Sequence, residues 1–556
     1  MALPSITLTV LSNGLGQLPA SSANVCTKLG ICSVGIPNTL YPEADVSTAQ
    51  TQLGAGPLVE AVVDSLIVAG GTVVAVPLNP STPGTLGAVD ATGATGTGVV
   101  TVSSAPVQPI DVSIVTGGAL GTMTFKYRIN GGPYSAAIPT TGGSFSYAVP
   151  GTLTTLTFAA QTYTAAAVFT ISKLGVVTIV GTGTASWVTQ ASSPLDAYAI
   201  VATIVTAGAL GVGVFTVSVD GGNNQVGGNI LIPSGGSYAI PGTGVVLAFS
   251  AATYNLADFY KAATTPASFS TSDVTTAMAA VLADPTEFGF FHVIGQPANS
   301  AGAASMSAVI DTQAQNAFAA FRFIFGINEC PTSESDSTVA SAYANFVSDR
   351  TMVCAGDIAH ISAVNGRVVR RNCSTVVATR LALVKPKEHP GKVKTGAVKN
   401  VKSIYRDEFK TPYLDAQRFT TMRTWPKKRG YFITRGMMMA DNGSDFSNVM
   451  NRRVMDVALG YLYQALLQIA NDELAVDPKT GFIYEPVAAR LERFIRNAII
   501  VGLDGNVIDA TVTVSRTEPI LTSKRFPASV GLLPYGYSEF ITGTIGFVNP
   551  ALQAAA

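Results

Sequence analysis

The feature that most constrains this chain is a repeat. Val115-Thr116-Gly117-Gly118-Ala119-Leu120-Gly121 returns as Val205-Thr206-Ala207-Gly208-Ala209-Leu210-Gly211. Tyr147-Ala148-Val149-Pro150-Gly151-Thr152 returns as Tyr238-Ala239-Ile240-Pro241-Gly242-Thr243, and Thr162-Tyr163 as Thr253-Tyr254, at spacings of 90 or 91 residues. Asn130-Gly131-Gly132 matches Asp220-Gly221-Gly222, a hairpin-turn signal both times. Self-similarity at one spacing means one unit folded twice. Residues 88–271 are rich in Ala, Gly, Thr and Val, with turn residues between short β-branched runs. That predicts two tandem all-β, sandwich-like domains, residues 88–180 and 181–271. Ala197 to Val219 holds no charge and is long enough to suggest a membrane span. Its counterpart carries Lys126 and Arg128 and is broken by glycines, so strand–turn–strand is the reading.

Outside the repeats the periodicity changes. Leu58, Val62, Val63, Leu66 and Ile67 predict a helix over Pro57 to Ala69, stopped by Gly70-Gly71 and followed by a buried strand, Thr72 to Pro77. After residue 271, helices at Ser272 to Ala283, Ala303 to Ala319 and Asp336 to Ser348 alternate with strands at Phe288 to Ile294, Phe321 to Phe325 and Thr351 to Cys354. Such alternation implies a mostly parallel or mixed sheet covered by helices. If Pro57 to Pro77 joins that sheet, the repeats are an insertion into one α/β domain. Asn13 to Pro57, with its Gly, Ser and Pro, reads as arm or linker. Before it, Ile6, Leu8 and Val10 share one side of a lone strand that must find a sheet edge in its own or another subunit.

Lys385 to Lys402 is a proline- and lysine-rich run without interleaved aromatics, a solvated loop rather than a nucleic-acid site. From Val454, apolar residues at Ala458, Tyr461, Leu462, Ala465 and Ile469 predict a helix, with Ser444 and Asp445 as its capping oxygens. A second helix follows Pro486, burying Val487, Leu491, Phe494, Ile495 and Ala498. Asn506 to Ser515 is a strand. Tyr537 to Val548, with Phe540, Ile541, Ile545 and Phe547, is a last strand without a sequence-local partner.

A chain of 556 residues is too long for one core. Only 12% of it is charged, which favours a subunit whose surface is largely covered in an assembly. Residues 1–273 hold 5 Lys/Arg against 10 Asp/Glu, and the remainder 29 against 24, so a basic half could face an acidic partner. The five cysteines make no CxxC pair; they read as buried thiols, with an intermolecular disulfide through Cys26 or Cys32 as the alternative. The first cation is Lys28, so the N-terminus lacks the basic region of a standard secretory signal. Chemistry is sparse. His292, His360 and His389 lie far apart, His292 reading as a satisfied core residue, and no HExxH, G-x-S-x-G or P-loop occurs. Asp441, Asp445 and Asp456 read as charges answering a helix dipole rather than metal ligands. Met437-Met438-Met439 reads as adaptable interface packing. No catalytic residue, metal site or cofactor is expected, and the chain does not read as an enzyme.

One stretch resembles a known family. Tyr431-Phe432-Ile433-Thr434, then Asp441-Asn442-Gly443-Ser444-Asp445-Phe446, then Asn451-Arg452-Arg453-Val454-Met455-Asp456 give a strand, a loop and an Arg-Arg helix. This resembles the C-terminal domain of contractile tail sheath proteins of myovirus-type bacteriophages and related contractile injection systems. The likeness runs from Ser272 onward, and over Gly56 to Pro80 in outline. It implies an α+β / α/β multidomain chain: a mixed-sheet core at 57–87 and 272–384 holding the two inserted all-β domains, a C-terminal α+β domain at 385–530, and arms at 1–56 and 531–556. It implies a homo-oligomer of stacked, hexameric rings around an inner tail tube protein, with baseplate and tail terminator proteins as further partners. The place implied is a virion tail assembled in the host bacterial cytoplasm, without direct nucleic-acid contact or membrane insertion. Contraction would drive the tube through the target envelope. Strands exchanged between subunits would use Ile6, Leu8, Val10, Phe540, Ile541, Ile545 and Phe547. Arg418, Arg423, Lys427, Lys428, Arg429, Arg452 and Arg453 would contact neighbouring subunits or the tube. The alternative is a surface-array or adhesin-type β-repeat protein binding glycan or receptor, which explains the repeats well and the αβ alternation poorly. An α/β enzyme with lectin-like insertions would need a catalytic constellation the sequence does not show.

Overall fold

A computed structural model describes residues 22–175, 177–180, 190–295 and 297–545. The expected strand bearing Ile6, Leu8 and Val10, and Phe547 at the other end, lie outside the described residues. The chain divides into two units, Met1–Gly460 and Tyr461–Ala556.

At the centre of the first unit is a six-stranded sheet built from β1 (Cys26–Gly30), β2 (Tyr41–Glu43), β3 (Val73–Pro77), β4 (Phe290–Val293), β5 (Phe325–Glu329) and β6 (Thr351–Cys354). Their order is β2-β3-β1-β4-β5-β6. The edge strand β2 runs antiparallel to β3, and all other pairs are parallel. β1 lies inside the stretch expected to be linker. The sequence Cys-Thr-Lys-Leu-Gly has no β-branched run to announce it, and only pairing on both sides makes it a strand. Its place is decisive, because β1 joins β3, before the insertion, to β4, after it. The helices are α1 (Val46–Leu53), α2 (Pro57–Val68), α3 (Thr271–Ala283), α4 (Ser300–Ala319), α5 (Asp336–Ala342) and α6 (Ser374–Leu383). Leu29, Val74, Val76, Phe291 and Val293 pack against α3 and α4, while Val73 and Ala75 pack against α2. This is the period-two alternation of a sheet buried on both faces.

Local chemistry moves several expected boundaries. Ser270, not Ser272, caps α3, through a reciprocal box with Asp273. Phe321 takes a left-handed φ of 59° after α4, so β5 begins at Phe325 rather than four residues earlier. Gly326 lets α4 close on the sheet, since a Cβ there would lie 2.2 Å from Ile310 Cγ2.

Between β3 and α3 lie two β modules. The first has a five-stranded sheet (Ile138–Pro139, Thr124–Ile129, Ile110–Thr116, Val168–Ile171, Val177–Val180) and a three-stranded one (Phe145–Val149, Thr154–Phe158, Gln190–Ser192). In the second, Val226–Leu231, Val214–Ser218, Ala199–Thr206, Phe259–Thr265 and Thr85–Leu86 form the larger sheet. Its three-stranded partner is Ser237–Ile240, Val245–Phe249 and Val100–Ser104. Packing repeats with the sequence: Phe125 lies 4.7 Å from Phe158 and 5.4 Å from Tyr147, and their counterparts put Phe215 4.8 Å from Phe249 and 5.4 Å from Tyr238.

Chain order and module membership differ at two strands. Val100–Ser104 precedes the first module yet completes the second, pairing with Val245–Phe249. Gln190–Ser192 precedes the second yet completes the first, pairing with Thr154–Phe158. Each repeat thus closes its smaller sheet with the strand that leads into the other. Thr85–Leu86 and Asp90–Gly93 also belong to the second module, through Phe259–Thr265.

The second module is tied to the core by charge. Arg367, at the turn before strand Val368–Asn372, pairs with Glu60 of α2 at 2.9 Å and with Asp196. Arg371 reaches the same carboxylates at 2.7 and 2.5 Å. Burial alone would raise both carboxyl pKa values, but the two guanidiniums hold them below the usual range. Asp220, in the repeated hairpin turn, accepts from Val368 N at 2.9 Å.

Helix α7 (Val449–Ile469) begins in the first unit and ends in the second. The second unit also holds α8 (Glu485–Leu503) and an antiparallel pair, Asp509–Val514 with Ala528–Leu533. The buried face of α8 is Ala488, Leu491, Ile495, Ile499 and Leu503, so Phe494 is exposed and the expected face is turned. Arg516 grips α8 through Glu485 at 3.0 Å and through Glu492.

Candidate assembly surfaces

Of the predicted contact residues, Lys427, Lys428 and Arg429 are exposed together on one hairpin. Met422–Arg423 and Phe432–Ile433 pair antiparallel, and the turn between them carries Trp425, Pro426, Lys427, Lys428, Arg429 and Gly430, all exposed. Gly430 supplies a φ of 91° and Lys427 one of 62°, which the tight reversal needs. Asp407 anchors the base, accepting from Thr424 N at 3.0 Å and Thr424 Oγ1 at 2.7 Å. Arg423 lies 3.7 Å from the Trp425 ring centre and 5.7 Å from that of Phe409. Tyr405, Phe409 and Tyr413 stand exposed on the adjoining loop. The result is a basic tip flanked by aromatics, where the sequence points to the cations alone. The adjacency of Trp425 to Pro-Lys-Lys-Arg was the available signal.

Other predicted contact residues face inward. Arg418 is half-buried and donates to Met439 O at 2.8 Å. Arg452 and Arg453 are each 2% exposed, which removes them as surface contacts. Arg452 pairs with Asp456 at 2.6 Å and Asp349 at 3.2 Å, and lies over the Phe446 ring at 4.4 Å. Arg453 donates to Leu381 O at 2.8 Å, Asn24 Oδ1 at 3.0 Å and Val384 O at 3.2 Å, closing the C-terminal end of α6. Two adjacent arginines on a helix starting at Val449 are clamps here, because its first turns are buried rather than presented to solvent. Burial pushes the Asp456 carboxyl up despite Arg452 and Arg350, so it is an internal ion partner. Asn448 Oδ1, rather than Ser444 or Asp445, accepts from the first turn of α7, taking Asn451 N at 2.9 Å. Met437, Met438 and Met439 are also buried, so they are core packing and not interface.

At the other end, Phe540 is 88% and Ile545 99% exposed, and Ile541 is nearly as open. Residues 534–545 form no strand, which corrects the expected strand over Tyr537 to Val548 for its described part. The segment thus holds three large apolar side chains in water without forming a strand.

Several titratable groups of the central sheet are buried. His292 lies beside Lys28 in the register of β4 on β1. Neither ring nitrogen of His292 nor Nζ of Lys28 is hydrogen-bonded, so the histidine is buried but not satisfied; Glu329 Oε1 is 3.5 Å away. Burial pulls the His292 pKa down to about 4 and lowers that of Lys28. Nothing in the sequence marked Lys28 as buried. All five cysteines are free and buried, and burial pushes the Cys26 and Cys32 thiols up to about 11, which argues against the intermolecular disulfide. Among the described residues no three His, Cys, Asp or Glu side chains are placed to hold a metal ion. No helix among them is long and apolar enough to cross a membrane, and Ala197 to Val219 forms strands Ala199–Thr206 and Val214–Ser218.

Solved structures similar to this chain are tail sheath proteins and sheaths of contractile injection systems. A sheath tail protein from Desulfitobacterium hafniense is 11% identical, over 96% of this chain and 100% of that one, with a TM-score of 0.42. One from Listeria innocua is 9% identical over 93% and 96%, with a TM-score of 0.41. The contracted sheath complex of an extracellular contractile injection system (PVC) is 13% identical over 53% and 78%, with a TM-score of 0.37. Among curated proteins no sequence matches. The family described as DUF2586, N-terminal domain, matches residues 3–437, from the N-terminal arm through both β modules to the strand after the basic tip. By that match, which spans most of its length, the chain belongs to the DUF2586 family.

Proposed function

We propose that this protein is the structural subunit of a contractile sheath. It stacks in rings around an inner tube and contracts to drive that tube through a target envelope. The observation that carries this reading is the pair of features in the second unit. One is an exposed apolar arm with Phe540, Ile541 and Ile545; the other is the two-stranded sheet Asp509–Val514/Ala528–Leu533, which pairs with no further strand among the described residues. An arm that forms no strand and a sheet that pairs with no further strand among the described residues are complementary between copies, since an added strand would complete both. Strands exchanged this way keep subunits connected while rigid bodies slide past one another. The Asn451-Arg452-Arg453 resemblance points the same way, with the arginines serving to hold α7 on α6 instead of contacting a neighbour. The basic tip at Lys427, Lys428 and Arg429 is the surface for an acidic neighbour or tube, and the β modules are the variable outward part. The N-terminal segment with Ile6, Leu8 and Val10 supplies the second exchanged strand.

Two truncations test it. Removing residues 1–12, or cutting after Leu533, should leave a cooperatively folded subunit that forms no polymer. Normal polymers from both truncated proteins would refute the exchange.

A further inference from the structure

We propose that the cleft between α2 and α6 is a binding site for a free aliphatic monocarboxylate. The cleft has a volume of about 330 Å³, at the small end of ligand sites. Its walls are apolar: Ile67 and Val68 from the last turn of α2, Val376 and Leu383 from α6, and Val398 from the loop beyond. Ile67 and Leu383 stand exposed at its rim. Two wall residues are charged and buried, Asp64 and Arg380. Arg380, in the last turn of α6, is 5% exposed. Its Nη2 donates to Gly396 O at 3.0 Å and Ala397 O at 2.9 Å, and its Nη1 has no acceptor.

Arg380, like Arg453, has no carboxylate partner, but of the two only Arg380 lines this cleft. Arg350, Arg367 and Arg452, buried to a similar degree, each pair with a carboxylate. Arg380 forms no ion pair, and burial lowers its pKa with no neighbouring charge to offset it. Asp64 faces His360 across the cleft wall: its Oδ1 accepts from Asn400 at 3.0 Å, and its Oδ2 lies 2.6 Å from His360 Nε2 without forming a hydrogen bond. A buried cation without a counter-charge is costly, and a ligand that brings one recovers that cost. The apolar walls require the anion to have a hydrocarbon body. A single carboxylate matches the fork of a guanidinium. A phosphate, with more charge to desolvate, suits such walls poorly. Lys399, exposed beside the cleft, adds a second positive charge toward the entering anion. The site rests on the subunit alone, so it stands or falls independently of how subunits assemble.

Titration of the full chain with decanoate, acetate and decanol, read by calorimetry and thermal shift, separates the contributions. Decanoate should bind one per chain and raise the melting temperature, while acetate and decanol at the same concentration do neither. Arg380→Met should weaken decanoate at least tenfold, and Arg380→Lys should restore part of that loss. Val68→Phe fills the cleft without touching the guanidinium and should abolish binding in a normally folded protein. Decanol binding as tightly as decanoate, or decanoate affinity unchanged in Val68→Phe, would overturn the assignment.

Discussion

Arg452 and Arg453 show what a residue pattern can and cannot reveal. The pair was legible as a motif, but its role depends on burial, which sequence spacing does not report when a helix starts beneath other elements. Because Arg453 serves several carbonyl oxygens at the end of α6, Arg453→Met should destabilise the protein by about 2–4 kcal/mol, measured by urea unfolding. Charge reversal of Lys427, Lys428 and Arg429 together should leave stability within about 0.5 kcal/mol while abolishing polymer formation. Polymers from the triple variant would show that the tip is only a solvated turn. His292 gives a signed pH effect. Its folded pKa, about 4, lies below the ordinary value near 6.5, so the unfolded chain takes up the proton first as pH falls. Stability is therefore full above about pH 6.5 and drops by about 3 kcal/mol toward pH 4 from this group alone. His292→Asn should flatten that part of the stability–pH curve, and an unchanged slope would place the acid sensitivity elsewhere.

At the level of elements, strongly periodic segments were readable and short buried ones were not. α2 and α8 announce themselves by apolar spacing, and β3 and β6 by β-branched or apolar runs. β1 does not, although the sheet is organised around it: five residues with a buried lysine are a strand only because β3 and β4 flank them. The repeat was legible to the residue, but the exchange of Val100–Ser104 and Gln190–Ser192 was not, since a repeat says what is similar and not what pairs. Fragment experiments follow from that exchange. Residues 105–195 contain every strand of the first module and should unfold cooperatively. Residues 193–268 lack Val100–Ser104 and the two strands before it, leaving an open edge, and should not. Equal, cooperative folding of both fragments, measured by thermal circular dichroism, would contradict the pairing.

As a whole molecule the chain is an α/β core interrupted by two β modules, one of which the Glu60–Asp196–Arg367–Arg371 cluster fixes to the core. Low charge content gives the expectation of a covered subunit from composition alone. The surfaces that would serve it needed the structure, because Phe540 and Ile541 look like any buried strand until their exposure is seen. Polymerisation around a tube is visible by negative-stain electron microscopy of the purified protein, alone and with preformed inner tubes. Hollow, striated cylinders of uniform width are expected. Dispersed single particles at high concentration, with tubes left bare, would contradict it and favour a β-repeat adhesin working as a monomer.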